Sequence, residues 1–180
     1  GLIRETPAWQ WHGHRLDALA PTGATVWQKL ELFQHTGTFK PRGSMLVMKS
    51  LSPEQLQRGI VAVSAGNHGM AVAYAAKALQ SHAKVVMPAT ANPARIEACR
   101  TMGAEVVLQP DIAAAFAMAA ELEQKEGRHF VHPFEGELTA LGNATLGLEF
   151  LRQVGQLDAL FVAIGGGVPT AIFKGGTEMI

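Results

Sequence analysis

One lysine stands between glycines and a proline in Gln34-His35-Thr36-Gly37-Thr38-Phe39-Lys40-Pro41-Arg42-Gly43. Pro41 suits the first turn of a helix, where its missing N–H leaves no bond unmade. Thr38 is placed to cap that helix, and Ser44 to Met48 continue it. At a helix start Lys40 meets the positive end of the dipole, and burial beside Phe39 disfavours its ammonium further. Both effects favour a nucleophilic amine of the kind that forms a Schiff base. Alone, the same pattern also describes a solvated surface lysine. Two glycine-bearing turns stand downstream. Ser64-Ala65-Gly66-Asn67-His68-Gly69 follows the strand-like Ile60 to Val63 and opens a helix, so its N–H groups converge on an anion site. Asn67 could equally be a turn residue, and His68 a helix-start histidine without a role. Gly165, Gly166 and Gly167 follow the apolar Leu160 to Ile164, where glycine lets backbone wrap a phosphate or simply make a strand-to-helix turn.

The elements that must hold these residues alternate. The spacing predicts an opening loop with a short turn over Thr6 to Leu19, a strand over Thr25 to Glu31, and the lysine helix fading near Ser52-Pro53. A short helix then runs from Pro53 to Arg58. Strands are expected over Ile60 to Val63, Lys84 to Met87, Glu105 to Leu108 and at Phe130-Val131. Helices are expected over His68 to Leu79, Pro93 to Met102 and Asp111 to Glu126, with Asp111 as N-cap. A glycine-punctuated helix within Leu138 to Val154 and a last buried strand over Asp158 to Ile164 complete the reading. This rhythm indicates an α/β chain whose parallel sheet is wrapped by helices.

Composition narrows the function. The 180 residues are 48% apolar and 17% charged, and the 15 basic residues balance the 15 acidic ones. That is a globular composition, with no electrostatic footprint for nucleic acid or an anionic membrane. The longest apolar run, Ile112 to Ala120, is too short to span a bilayer, and no secretory leader is visible, so a cytoplasmic location is expected. The single cysteine, Cys99, excludes an internal disulfide, fits a reducing compartment and reads as a packed thiol. His12 and His14 have no Cys, Asp or Glu at ligand spacing beside them, so they read as solvated loop residues and no metal site is expected.

In order and spacing, Phe39-Lys40-Pro41-Arg42-Gly43, Ser64 to Gly69 and Gly165 to Gly167 resemble the motifs of the fold-type II pyridoxal-phosphate enzymes, in the threonine/serine dehydratase and serine racemase branch. The likeness runs from Thr6-Pro7 to Gly167. It implies a tryptophan synthase β-subunit-like fold. Residues 59–137 would form a small α/β domain, and residues 1–58 with 138–180 an incomplete large, cofactor-binding domain. Close to half of the usual enzyme would be missing, including the residue that relatives place against the pyridine nitrogen.

The resemblance also implies roles. The cofactor is pyridoxal 5'-phosphate, with Lys40 as the Schiff base and catalytic base and Phe39 against the ring face. Asn67 would bond the phenolate oxygen, and Gly165, Gly166 and Gly167 would hold the phosphate. Ser64, Ala65, Gly66 and His68 would bind the substrate carboxylate, His68 chiefly through its N–H. Two departures stand out. Val168-Pro169-Thr170 replaces the fourth glycine and aliphatic residue, and Pro169 brings no N–H, which implies an impaired phosphate cup. Ala65 stands where racemases place a proton-carrying serine, which favours elimination. The expected function is an ammonia-lyase turning threonine or serine into a 2-oxo acid and ammonia, or an N-terminal portion of one with impaired activity. The alternative is a non-catalytic truncated scaffold. Either way, open sheet edges and exposed apolar surface predict a homo-oligomer.

Overall fold

The computed structural model describes residues 1–21, 23–163 and 165. The chain opens with β1 (Ala8–Trp11), α1 (His14–Leu19) and β2 (Val26–Lys29). The two strands pair antiparallel, with Ala8 opposite Lys29 and Trp11 opposite Val26. This corrects the expected loop over Thr6 to Leu19. Ala8 and Gln10 are half-buried while Trp9 and Trp11 face outward, a period-two pattern too short to stand out among mixed neighbours. His12 and His14 are both exposed.

Two helices follow, α2 (Lys40–Lys49) and α3 (Pro53–Arg58), the latter closed by a reciprocal cap between Ser52 and Gln55. Then come β3 (Ile60–Val63), α4 (Asn67–Ala78), β4 (Ala83–Pro88), α5 (Pro93–Thr101), β5 (Glu105–Gln109), α6 (Ile112–Glu126), β6 (His129–Phe130) and α7 (Glu137–Val154). These match the expected elements to within one or two residues. Asp111 caps α6 as expected, accepting from the Ala114 N–H at 2.8 Å.

The four strands β3 to β6 form one parallel sheet in the order β5-β4-β3-β6. All four residues of β3 are buried. Ile60 and Ala62 belong to a core shared with Met45 and Met48 of α2 and Val72, Ala75 and Ala76 of α4. Val61 and Val63 pack with Val86 and with Ala115 and Ala119 of α6. A strand covered on both faces reads as a continuous apolar run, and each buried Val or Ile contributes about 1.5–3 kcal/mol.

Helix α2 packs against both α4 and α7. Its crossing with α7 is backbone to backbone: a Cβ on Gly142 would lie 2.5 Å from the Arg42 carbonyl oxygen. There the Gly43 N–H, in the first turn of α2, donates to Asn143 Oδ1 at 3.1 Å. The expected last strand is not formed over its described residues 158–163, and Phe161 is 97% exposed. A buried strand needs a hydrogen-bonded neighbour, and among the described residues none lies beside this segment.

Candidate active site

In an open parallel sheet, ligands bind outside the carboxyl ends of the strands, where the strand order reverses. Here the chain leaves β3 toward β4 and β5 and returns to its other side as β6, so the reversal lies between β3 and β6. The carboxyl end of β3 runs into Ser64 to His68, and that of β6 into Val131 to Pro133. The start of α2, with Lys40, meets the same place: Lys40 Nζ donates a hydrogen bond to the Pro133 carbonyl. The fold therefore converges three sequence-distant segments on its switch point.

The approach to Lys40 is a turn through Thr36 (φ 62°) and Gly37 (φ 70°), left-handed conformations that glycine takes freely and a β-branched residue rarely does. Buried Gln34 anchors this turn by clasping the backbone of Arg4, donating to its carbonyl at 2.7 Å and accepting from its N–H at 3.0 Å. Thr38 is extended, and its hydroxyl accepts from the Lys40 N–H at 3.3 Å, as an N-cap residue does. The Lys40 amine lies 5.3 Å from the centre of the Phe39 ring. Burial holds its pKa below the usual lysine value, which enlarges the neutral, nucleophilic fraction.

The Ser64 hydroxyl accepts from the Gly66 N–H at 3.0 Å, keeping its own proton to donate. Asn67 and His68 open α4, so their N–H groups lack intrahelical partners. Ala65 is exposed. The His68 ring turns inward, Nε2 donating to the Val131 carbonyl at 2.9 Å, and is unavailable to a substrate. Burial first, then the nearby Lys40 and His132 charges, lower its pKa to about 4, against the bond to Val131. Asn67 Oδ1 accepts a hydrogen bond from Arg95 of α5.

Gly165 takes φ 141°, and the position a Cβ would occupy there is open among the described residues. Gly166 and Gly167, like Val168-Pro169-Thr170, lie outside the described residues. The structure thus brings together Phe39, Lys40 and Ser64 to His68.

Two contributors were missed in the sequence. Arg42 reads only as part of the lysine motif, yet its guanidinium is fully buried and bonds both oxygens of Glu31 and of Glu149, all at 2.7–2.8 Å. Its side chain thereby ties the Lys40 helix to α7 and to the chain before it. Arg95 gives no sequence signal, since contact with Asn67 depends on how α5 packs beside α4.

The "Pyridoxal-phosphate dependent enzyme" family matches residues 1–175. The chain is 49% identical over 165 residues to a phenylserine dehydratase of Ralstonia pickettii, covering 92% of this chain and 49% of that one. It is 39% identical over 147 residues to an L-threonine ammonia-lyase of Thermotoga maritima, covering 81% and 37%. Among solved structures, maize serine racemase superposes with a TM-score of 0.86 at 30% identity, over 96% of this chain and 51% of that one. The processed threonine deaminase isoform 2 of Solanum lycopersicum gives 0.86 at 34%, over 95% and 49%. The chain spans about half the length of these relatives, or less. A lysine-headed helix and a Ser-Ala-Gly-Asn-His loop meeting at the switch point of a parallel sheet therefore have their place in a known lineage: the chain belongs to the pyridoxal-phosphate-dependent enzymes of fold-type II.

Proposed function

We propose that the chain carries the lysine half of an ammonia-lyase that dehydrates β-hydroxy amino acids. The observation that carries this reading is the half-buried Lys40 amine meeting the Ser64 to His68 loop at the switch point, in a chain of this family. The residues present fit pyridoxal phosphate at two ends. A primary amine with a lowered pKa suits its aldehyde, and an Asn67 amide whose oxygen is already engaged offers N–H to its ring oxygen. Phe39 would pack on the ring face, and Gly165, Gly166 and Gly167 remain our assignment for the phosphate.

When bound, the cofactor supplies an electron sink that acidifies the Cα proton of an attached amino acid. Lys40, its pKa lowered by burial, takes that proton as general base. The Ser64 hydroxyl, held by the Gly66 N–H, and the N–H groups of Asn67 and His68 orient the substrate carboxylate. Loss of the β-hydroxyl as water, then hydrolysis of the resulting enamine, releases a 2-oxo acid and ammonia. Ala65 has no proton to return to the opposite face of Cα, which supports elimination over racemisation. In this reading the substrate is a free amino acid such as threonine, serine or a phenylserine, and the setting is cytoplasmic. Strands β3 to β6 all fall within the proposed small lobe at 59–137, with both flanks in the large one.

Mixing the protein with pyridoxal phosphate tests this directly. A visible absorption band is expected, and 2-oxo acid from threonine, serine or phenylserine at a rate well below that of a full-length relative. Both should vanish in Lys40→Ala. A band that survives that substitution unchanged would remove Lys40 from its role.

A second reading, a non-catalytic scaffold that self-associates, is favoured by exposed Leu138, Leu141 and Leu148 on α7 and by Phe161. Under either reading we expect a homo-oligomer. Sedimentation at micromolar concentration checks it, and a single monomeric species is the result that counts against it.

A further inference from the structure

Arg95 stands on the first turn of α5, whose start is capped by the Asn92 side chain. Among the described residues its guanidinium has no carboxylate within 4 Å, and its one hydrogen bond goes to Asn67 Oδ1. It also lies against the binding loop itself: a Cβ on Gly66 would stand 3.0 Å from Arg95 Nη1 and 3.5 Å from Cζ. The glycine thus leaves room for the guanidinium beside Asn67.

This contact decides a question of chemistry. An asparagine amide has an accepting end and a donating end of nearly equal size, and nothing in its shape selects between them. A guanidinium has only donors and does not lose its charge, so it can engage only the oxygen. With the oxygen held, the end left for a ligand is the NH₂. An anionic oxygen is then welcome at Asn67 and a donor group is not.

We propose that Arg95 is a positioning residue that locks the Asn67 amide in its donating orientation. The inference rests on the reading above in which Asn67 serves the ring oxygen of pyridoxal phosphate. Arg95 touches neither cofactor nor substrate in this account and acts through Asn67 alone. It is half-exposed, so its removal leaves the core packing intact.

Two measurements test it, one without cofactor. In ¹H–¹⁵N spectra of the cofactor-free chain, Arg95→Met should shift the side-chain NH₂ pair of Asn67 while the backbone signals of β3 and β4 stay in place. An Asn67 pair that does not move overturns the proposal, whatever the cofactor does. With pyridoxal phosphate bound, the ratio of visible to near-ultraviolet absorbance reports how far the ring oxygen is ionised. Asn67→Ala should lower that ratio about tenfold, the equivalent of ~1.4 kcal/mol. Arg95→Met should lower it roughly two- to tenfold, the span between a freely flipping amide and a lost hydrogen bond. Arg95→Lys should restore part of it, and the double variant should match Asn67→Ala alone. Additive effects, or an unchanged ratio in Arg95→Met, overturn the proposal. A wild-type chain with no visible band instead counts against the Lys40 reading, and the cofactor-free spectra then decide on Arg95.

Discussion

Replacing Arg42 by methionine is expected to lower stability by about 3–5 kcal/mol, the cost of breaking a buried ion pair from one side. The guanidinium is fully buried and holds both oxygens of Glu31 and of Glu149, with a further bond to the Thr145 hydroxyl at 2.9 Å. Burial works against its charge, yet the hydrogen bonds to Glu149 and Glu31 overcome that and raise its pKa further. Methionine fills the volume and leaves two carboxylates facing each other with less compensation. Lys29 relieves Glu149 only in part, at 3.0 Å, since the same amine also bonds the Thr6 carbonyl and Gln153.

In thermal unfolding that loss corresponds to roughly 6–20 °C for a chain of this size. Urea titration gives the free energy directly. The mechanism makes a second, opposite expectation. Removing the Glu31 carboxylate as well, in Arg42→Met/Glu31→Leu, leaves Glu149 to the buried Lys29 and should recover much of the loss, because the penalty comes from stranded charge rather than from the missing bonds. A double variant less stable than the single one would mean that the bonds themselves carry the stability. Since Arg42 stands two residues from Lys40, partial loosening of α2 should also weaken the visible band without abolishing it.

What the sequence allowed to be read follows the range of the interactions involved. Strand β3, with four apolar residues in a row before a glycine turn, could be read because burial on both faces writes itself into one short segment. The cap at Asp111 could be read because cap and recipient lie within three residues. Motif order made Lys40, Ser64 and Asn67 candidates before any distance was known. The partners of those residues were not legible. Pro133 meets Lys40 from 93 residues away, Val131 meets His68 from 63, and Glu149 meets Arg42 from 107. Each depends on how a helix packs against another helix or against the segment leaving a strand, which no local pattern records. The strand expected over Asp158 to Ile164 did not form over its described residues 158–163, for the related reason that apolar sequence proposes a strand and only a neighbouring strand completes it. Strand β1 failed the other way, its four residues too brief for periodicity to register, although its partner β2 was read.

Acid should destabilise this fold from a higher pH than carboxylate titration alone would produce, and His68 is the reason. Its folded pKa of about 4 lies below the value of 6.5 expected in the unfolded chain. Between those values the unfolded state binds a proton that the folded state refuses, so stability falls as pH falls from about 6.5 to about 4 and levels off below. At 1.36 kcal/mol per pKa unit, the loss from this residue is about 3 kcal/mol. Burial of the ring dominates, and the Lys40 and His132 charges add to it. His129 and His35 are shifted in the same direction, both mainly by burial, and reinforce the trend. The carboxylates held low by partners, Glu149 among them, lose their contribution only at more acid pH. Urea midpoints measured from pH 7.5 to 4.5 should therefore decline through the histidine range. In His68→Gln, whose amide can still donate to the Val131 carbonyl, the decline should be shallower by most of that amount. An equally steep decline in the variant would show that the His68 ring accepts its proton without leaving the core.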